Sequence, residues 1–197
     1  CLRLLEKKPD DRFSSANHLL RFLKQDQGID NGLIIGRTAE RLRLREAIAL
    51  KPDFAEAHYN LGVLLVDIGK LEEAKESYIQ TIALKPDFAE AHNNLAVILK
   101  ELGRFKEAEE SCRQAIALKP GFAMAHSNLG NTLHELGRLE EAESSFLQAI
   151  TLNPQAAVAF SNLSNTLCGL GRFEEAETCC KKAIALIPDF AEAHCNL

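Results

Sequence analysis

The sequence is poor in large aromatic side chains and has no long hydrophobic segment. It contains no tryptophan, two tyrosines (Tyr59 and Tyr78) and one methionine among 197 residues. No apolar run approaches the roughly 20 residues that a helix needs to span a bilayer, so no membrane association is predicted. No signal peptide is visible either. Alanine and leucine dominate instead, together with glutamate and lysine, and this composition favours an all-α protein.

Cysteine patterns typical of metal sites or disulfide frameworks are also missing. The six cysteines include no Cys-x-x-Cys pair and do not recur from repeat to repeat in the way a disulfide framework would. Reduced thiols in the cytoplasm are therefore expected. The adjacent Cys179 and Cys180 are interpreted as a surface cysteine beside a core cysteine. No metal and no cofactor is predicted.

Basic residues are in excess only near the amino terminus. Residues 1–54 carry 11 Lys and Arg against 8 Asp and Glu, whereas residues 55–197 carry 12 against 20. This asymmetry indicates two pieces of different origin. The acidic part lacks the clustered Lys and Arg of a nucleic-acid surface, so no nucleic-acid partner is predicted.

What the sequence does contain is a repeat of 34 residues. The period relates three sets of residues: Pro52, Pro86, Pro120, Pro154 and Pro188; Gly69, Gly103, Gly137 and Gly171; Ala74, Ala108, Ala142 and Ala176. A fixed period of this length indicates a stacked architecture. Four repeats are predicted, with a truncated fifth after them: 55–88, 89–122, 123–156, 157–190 and 191–197.

Each repeat contains two apolar stripes with helical spacing, which we call helix A and helix B. In the first repeat, helix A is predicted near Ala55–Ile68 and helix B near Leu71–Leu84. Gly69 suits the left-handed residue that closes a helix, and Pro86 stands where helix B cannot continue. Small residues on both helices predict that the two axes approach closely.

These residues resemble the tetratricopeptide repeat family. The pattern of Leu61, Gly62, Ala74, Tyr78 and Pro86 recurs through four repeats, and the resemblance covers about residues 37–197. It implies an all-α, right-handed solenoid of antiparallel helix pairs. The chain departs from the family where Cys112 and Cys180 replace the aromatic residue that Tyr78 represents, and we expect these two substitutions to loosen the packing.

The residues before the first full repeat divide into three parts. Residues 37–54 read like a degenerate helix B, a half-repeat that caps or enters the stack, and residues 26–36 are predicted to be a linker. Residues 1–25 resemble the last two helices of a serine/threonine protein kinase domain, through an apolar helix, Lys8-Pro9-x-x-Arg12 and a Ser/Ala helix start. The glycine-rich loop, the ATP-binding lysine and the catalytic aspartate motif are absent, so no enzyme activity is predicted for this chain.

Asparagines recur on helix A, which by the family resemblance lines the concave face of the stack. They are Asn60, Asn94, Asn128, Asn162 and Asn196, with Asn131 and Asn165 one turn further along. A carboxamide offers a donor and an acceptor to any peptide unit. The row is similar to the asparagine ladder of O-linked N-acetylglucosamine transferases. Together with Tyr59, Val63 and Val97 at one end, it predicts a groove that holds an extended peptide.

Two other kinds of site are disfavoured. A carboxylate clamp, with which family members grip the terminal aspartate of a heat-shock chaperone, needs basic residues on helix A, and Lys100 is the only groove-side cation. His58, His92 and His126 recur once per repeat, so they lie about one helix pair apart, too far to share a metal ion. These histidines are therefore predicted to pack between helices A and B.

The leading prediction is a cytoplasmic, non-catalytic protein-interaction scaffold that binds an extended segment of a partner. The alternative is a regulatory or substrate-recruiting arm of a larger enzyme, with a kinase upstream or an O-GlcNAc-type glycosyltransferase downstream. A third hypothesis is self-association through an uncapped end around Phe173, Cys180 and Ile184.

Overall fold

The computed structural model describes residues 30–188, with side chains from residue 36 onward, and all regular structure in this range is α-helical. The first helix, α1, spans Asp30–Leu50. Four helix pairs follow it: α2 Ala55–Asp67 and α3 Leu71–Leu84, α4 Ala89–Glu101 and α5 Phe105–Leu118, α6 Ala123–Glu135 and α7 Leu139–Leu152, α8 Ala157–Gly169 and α9 Phe173–Leu186. In each pair the first helix is helix A and the second is helix B, which confirms the predicted all-α solenoid.

Glycines close the A helices and turn the chain into the B helices. Gly69 has φ of 74°, and Gly103, Gly137 and Gly171 have φ values of 72–75°. Side chains rarely adopt this left-handed backbone, whereas glycine does so readily. After α2, the amide of Lys70 donates to the carbonyl of Leu65 at 2.8 Å and the amide of Gly69 donates to Val66 at 2.9 Å. These two hydrogen bonds form a Schellman motif, and the motif places α3 antiparallel to α2.

Histidines fasten the turn that leads into three of the A helices. Nε2 of His58 donates to the carbonyl of Pro52, and His92 and His126 bond Pro86 and Pro120 in the same way, each at 3.0 Å. The histidines therefore hold the turn before helix A, a more specific role than the predicted packing between helices.

The fourth pair lacks this histidine bond, and its side chains at the histidine and phenylalanine positions differ from those of the other pairs. Its A helix has Phe160 at the histidine position, while Ala156 stands where the earlier pairs have Phe54, Phe88 and Phe122. The Phe160 ring is buried, and Nζ of Lys182 lies 5.6 Å from its centroid. One large ring is thus kept in each pair, but in the fourth it comes from a residue one helical turn later.

Within each pair, a small residue on helix A faces a core residue on helix B. A Cβ atom placed on Gly62 would lie 2.7 Å from the Tyr78 ring, and one on Gly130 would lie 2.7 Å from the Phe146 ring. The other two pairs combine a larger A residue with a cysteine: Ala96 with Cys112, and Ser164 with Cys180. Both cysteines are fully buried. The facing residue is thus larger in the two pairs in which the core residue is smaller, and the loosening expected at Cys112 and Cys180 stays a prediction.

Buried clusters are shared between neighbouring helix pairs, one running from α2 to α5 and another from α4 to α9, and α1 packs on the first pair. Leu44 and Ile48 of α1 lie against the buried cluster that contains Leu61 and Leu65. Arg45 of α1 also forms an ion pair with Glu73 of α3 at 3.0 Å. A helix in front of the first full pair was expected, but only from residue 37.

The predicted linker over residues 26–36 is wrong from Asp30 onward, since α1 begins there. Gly32 and Gly36 lower helix propensity by only about 1 kcal/mol each relative to alanine. The segment contains no proline, which would have interrupted the helix. The kinase-like segment 1–25 and the start of the fifth repeat, 191–197, lie outside the described residues.

Candidate functional site

The predicted binding residues lie on the A helices, which follow one another along one side of the stack. Helix α4 contacts α6, and α6 contacts α8, in addition to the contacts of each with its own B helix. Asn60 and Asn165 are exposed, and the other predicted asparagines in the described range are half-buried: Asn94, Asn128, Asn131 and Asn162. Asn196 lies outside the described residues. The half-buried ones form hydrogen bonds from one A helix to the next.

At the first junction, Asn94 of α4 bonds phenol groups of the preceding pair. Its Nδ2 atom donates to Oη of Tyr59 at 3.1 Å and to Oη of Tyr78 at 3.4 Å. The Tyr59 ring stacks on Phe88 with 4.8 Å between centroids and is tilted against Tyr78 at 5.8 Å. Tyr59, predicted as a groove residue, is therefore largely engaged in holding two pairs together. Burial raises the pKa of Tyr78 to about 12, so its phenol keeps its proton at neutral pH.

At the second junction, between α4 and α6, the partner of the ladder residue Asn128 is an asparagine that the sequence analysis did not propose as a contact. Nδ2 of Asn128 donates to Oδ1 of Asn93 at 2.9 Å, and Nδ2 of Asn93 donates to Oδ1 of Asn94 at 3.3 Å. Asn93 is only 3% exposed. A buried carboxamide needs hydrogen-bond partners, and Asn93 has them in Asn94 and Asn128. The sequence signal that could have identified Asn93 is its place directly before Asn94 on helix A.

At the third junction, the ladder asparagine again donates to the preceding A helix, but its acceptor lies one turn further along that helix. Nδ2 of Asn162 donates to Oδ1 of Asn131 at 2.8 Å. Asn131 lies one turn after Asn128 on α6, so this bond forms further along the helix than those at the first two junctions. Asn162 and Asn131 were predicted as separate contacts on one face, and the structure joins them.

The other predicted contacts surround this row. Val63 is 38% exposed, and Val97 is half-buried. Nζ of Lys100 lies 3.2 Å from Oε1 of Glu101, so its charge is partly compensated. On the described A helices Lys100 is the only lysine or arginine. The predicted contact residues on the described A helices are thus carboxamides, valines and a tyrosine, with Lys100 as the one cation.

The proposed self-association surface is only partly exposed. Phe173 is 68% exposed, whereas Cys180 is fully buried with its Sγ atom 2.8 Å from Oγ of Ser164. Ile184 packs with Phe160 and Ala183. Cys180 occupies the core position that was predicted for it, so of the three residues named for self-association only Phe173 is exposed.

Metal-ligating and membrane-spanning features are absent from the described range. No group of three His, Cys, Asp or Glu side chains there could hold a metal ion. No helix between Asp30 and Leu186 is long and apolar enough to cross a membrane. The cysteines in this range, Cys112, Cys168, Cys179 and Cys180, form no disulfide with one another.

Comparison with solved structures relates the fold to known repeat proteins. The crystal structure of MamA shares 25% identity with a TM-score of 0.69, covering 76% of this chain and 87% of that chain. YrrB, described as a TPR protein with an unusual peptide-binding site, shares 24% identity with a TM-score of 0.69 and covers 91% and 95%. The first TPR of Spaghetti (RPAP3), bound to the HSP90 peptide SRMEEVD, shares 26% identity with a TM-score of 0.58 and covers 59% and 93%.

Sequence comparison addresses the family directly. Among curated proteins, no match is found. A tetratricopeptide repeat model matches residues 61–121 and 101–157, and two further models of the same description match residues 44–76 and 156–187. Together these matches run from the second half of α1 to the end of α9. The chain therefore belongs to the tetratricopeptide repeat family.

Proposed function

We propose that this chain is a non-catalytic scaffold that binds an extended segment of a partner protein along its row of A helices. The observation that carries the proposal is the set of carboxamides held in place by bonds between helices. Asn94, Asn128 and Asn162 each commit one amide hydrogen to a neighbouring A helix. Asn128 and Asn162 each keep a second amide hydrogen and Oδ1 for a ligand. Asn94 is more fully engaged, because its Nδ2 also donates to Oη of Tyr78 and its Oδ1 accepts from Asn93.

Pre-positioned carboxamides favour recognition of a peptide backbone. A side chain that is already fixed loses little conformational entropy when it binds, so more of each hydrogen bond contributes to affinity. The spacing supports an extended ligand. With about 8–10 Å between neighbouring helices, three steps from α2 to α8 span about 24–30 Å, which corresponds to roughly seven to nine extended residues.

The comparisons support binding of a peptide but not the same peptide chemistry. The first TPR of Spaghetti (RPAP3) is bound to the peptide SRMEEVD, which carries acidic residues. This chain offers Lys100 as the only lysine or arginine on its described A helices, and that lysine lies beside Glu101. A buried or half-buried carboxylate without a cationic partner is costly. We therefore propose an uncharged segment as the ligand in place of an acidic carboxyl-terminal tail.

The experiment that tests this function replaces two ladder residues. Asn128→Ala combined with Asn162→Ala should weaken binding of peptides from a library about tenfold or more, since two net hydrogen bonds to the peptide are lost. Circular dichroism should show an intact helical stack. The matched control is Gln80→Ala, which removes an exposed carboxamide on α3, away from the A helices. Unchanged affinity of the double variant across the library would overturn the proposal.

The alternative role as an arm of a larger enzyme rests on residues 1–25 and on the asparagine pattern. The matched family models are all tetratricopeptide repeat models, so the kinase and glycosyltransferase associations stay predictions. Sequencing the transcript that encodes this chain would reveal whether a kinase or glycosyltransferase domain is joined to it. If neither is, the scaffold function stands alone.

A further inference from the structure

The side chains that hold the ladder asparagines follow a rule that depends on two positions of helix A. Counting from the first residue of each A helix, the ladder asparagine is the sixth residue. The fifth residues are Tyr59, Asn93, Ser127 and Ser161, and the ninth residues are Val63, Val97, Asn131 and Asn165. Fifth and ninth residues are four apart, so they lie on the same face of their helix, one turn from each other.

Three ladder asparagines, Asn94, Asn128 and Asn162, each bond one of these two positions on the preceding A helix. Asn94 bonds the fifth residue, Tyr59, and Asn128 bonds the fifth residue, Asn93. Asn162 instead bonds the ninth residue, Asn131. The distances of 3.1, 2.9 and 2.8 Å make all three ordinary hydrogen bonds.

The chemistry of the two positions explains the choice. At the first two junctions the ninth residue is a valine, which has no hydrogen-bonding group, while the fifth residue carries a polar group on a long side chain. At the third junction the fifth residue is Ser127, whose hydroxyl is only one bond beyond Cβ, and the ninth residue is Asn131. The longer polar side chain holds the asparagine in every case.

We propose that the fifth and ninth residues are positioning residues that divide the binding face into two halves of different polarity. The first half presents Val63 and Val97 beside the asparagines, and the second half presents the carboxamides of Asn131 and Asn165. The bound segment is then uncharged and extended, with aliphatic side chains over the valines and polar side chains over the amides. This inference rests on the proposed peptide-binding function and adds the side-chain chemistry of the ligand.

Reciprocal double variants test the rule with residues that the chain itself uses at these positions. Asn93→Ser with Val97→Asn gives α4 the pair found in α6, and Ser127→Asn with Asn131→Val gives α6 the pair found in α4. The probes are nine-residue peptides blocked by acetylation and amidation. One consists of a valine–alanine half and a serine–glutamine half, a second has the halves in reverse order, and a third contains serine and glutamine only.

The ligand-free measurement addresses positioning alone. In an NMR spectrum of the wild-type chain, the Asn128 carboxamide protons should show contacts to residue 93. In the variant with Asn93→Ser and Val97→Asn these contacts should move to the carboxamide introduced at position 97. Contacts that stay at position 93 would overturn the positioning rule, whether or not any peptide binds. If this variant fails to fold, the reciprocal variant gives the same readout through the Asn162 carboxamide. Its contacts should move from residue 131 to residue 127.

The binding measurement addresses ligand chemistry. One of the two mixed peptides should bind the wild-type chain about tenfold more tightly than the all-polar peptide, the difference expected for partly burying one or two aliphatic side chains. The variant with Asn93→Ser and Val97→Asn should lose this preference. Equal binding of all three peptides would overturn the division into halves while leaving the scaffold function intact. Absence of binding by any peptide, with the NMR contacts as expected, would overturn the proposed function and retain the positioning rule.

Discussion

Gly62 of α2 lies directly against the ring of Tyr78 of α3. A Cβ atom on Gly62 would meet Cε1 of Tyr78 at 2.7 Å and Cδ1 at 2.9 Å, closer than real Cβ atoms approach other atoms. The two residues are 16 positions apart, and the same interval relates Ala96 to Cys112. The sizes of the facing residues are therefore matched pair by pair along the stack.

This contact predicts that Gly62→Ala destabilises the chain although alanine favours helix. The ring of Tyr78 must shift, and overpacking of this kind costs about 1–3 kcal/mol. Tyr78→Cys should be less destabilising in the Gly62→Ala background than in the wild type, because the double variant reproduces the pair Ala96 and Cys112. A double-mutant cycle measured by urea unfolding tests the coupling.

Gly36 of α1 provides the control for that cycle. Outside the backbone of its own helix and its two chain neighbours, no described atom lies within 4 Å of a Cβ placed there. Gly36→Ala should therefore be neutral or stabilise the chain by up to about 1 kcal/mol through helix propensity. A Gly62→Ala variant as stable as Gly36→Ala would contradict the assigned contact.

The exchange at the fourth pair predicts a second coupling. Phe160→His alone should lower the free energy of unfolding by about 1–3 kcal/mol, because a buried ring is lost and a polar ring takes its place. Adding Ala156→Phe should recover part of this loss, since the pair then matches Phe122 and His126. Thermal unfolding of the single and double variants measures both effects. A double variant less stable than Phe160→His alone would show that the two positions do not compensate each other.

Thiol reactivity should separate the four described cysteines. Burial raises the pKa of Cys112 to about 12 and also raises the pKa of Cys179, and the reactive form of a thiol is the thiolate. With Cys1→Ser and Cys195→Ser as background, a disulfide reagent at pH 8 should modify the partly buried Cys168 and Cys179 before the fully buried Cys112 and Cys180. Peptide mapping by mass spectrometry identifies the order. Rapid modification of Cys112 in the folded chain would be inconsistent with its position in the core.

A carboxylate shared between neighbouring helix pairs should make stability depend on pH. Desolvation favours the neutral form of Glu109, but hydrogen bonds from Arg113 and Arg138 outweigh it and hold the pKa of Glu109 below its usual value of 4.5. Because the folded pKa is the lower one, the ionised carboxylate stabilises the fold above the unfolded pKa. This contribution is lost as the pH falls through the folded pKa.

Glu109→Gln should therefore destabilise the chain at pH 7, by about 1 kcal/mol, because the carboxylate is mostly buried but both arginine partners are exposed to solvent. The difference from the wild type should close as the pH falls below about 4.5, and added salt should reduce it at neutral pH. Glu110→Gln is the control, since Glu110 is exposed and forms no ion pair with another described residue. A difference that grows on acidification would contradict the assigned role of Glu109.

Local patterns were sufficient for the helix pairs. Helix A of the first repeat was predicted near Ala55–Ile68 and is observed at Ala55–Asp67, and helix B is observed at the predicted Leu71–Leu84. Helical spacing of apolar residues and the left-handed Gly69 act within a few residues of the chain, so the sequence shows them directly. The prediction was wrong over residues 30–36, where glycines suggested a linker but did not prevent α1 from forming.

The sequence by itself therefore determined the tetratricopeptide repeat fold and the placement of the asparagines on the A helices. Only the tertiary structure decided how those asparagines are held: Asn128 by Asn93, and Asn162 by Asn131. The partners are 31–35 residues apart and meet only when one helix pair stacks on the next. Their side-chain orientation depends on that contact, which no local pattern encodes.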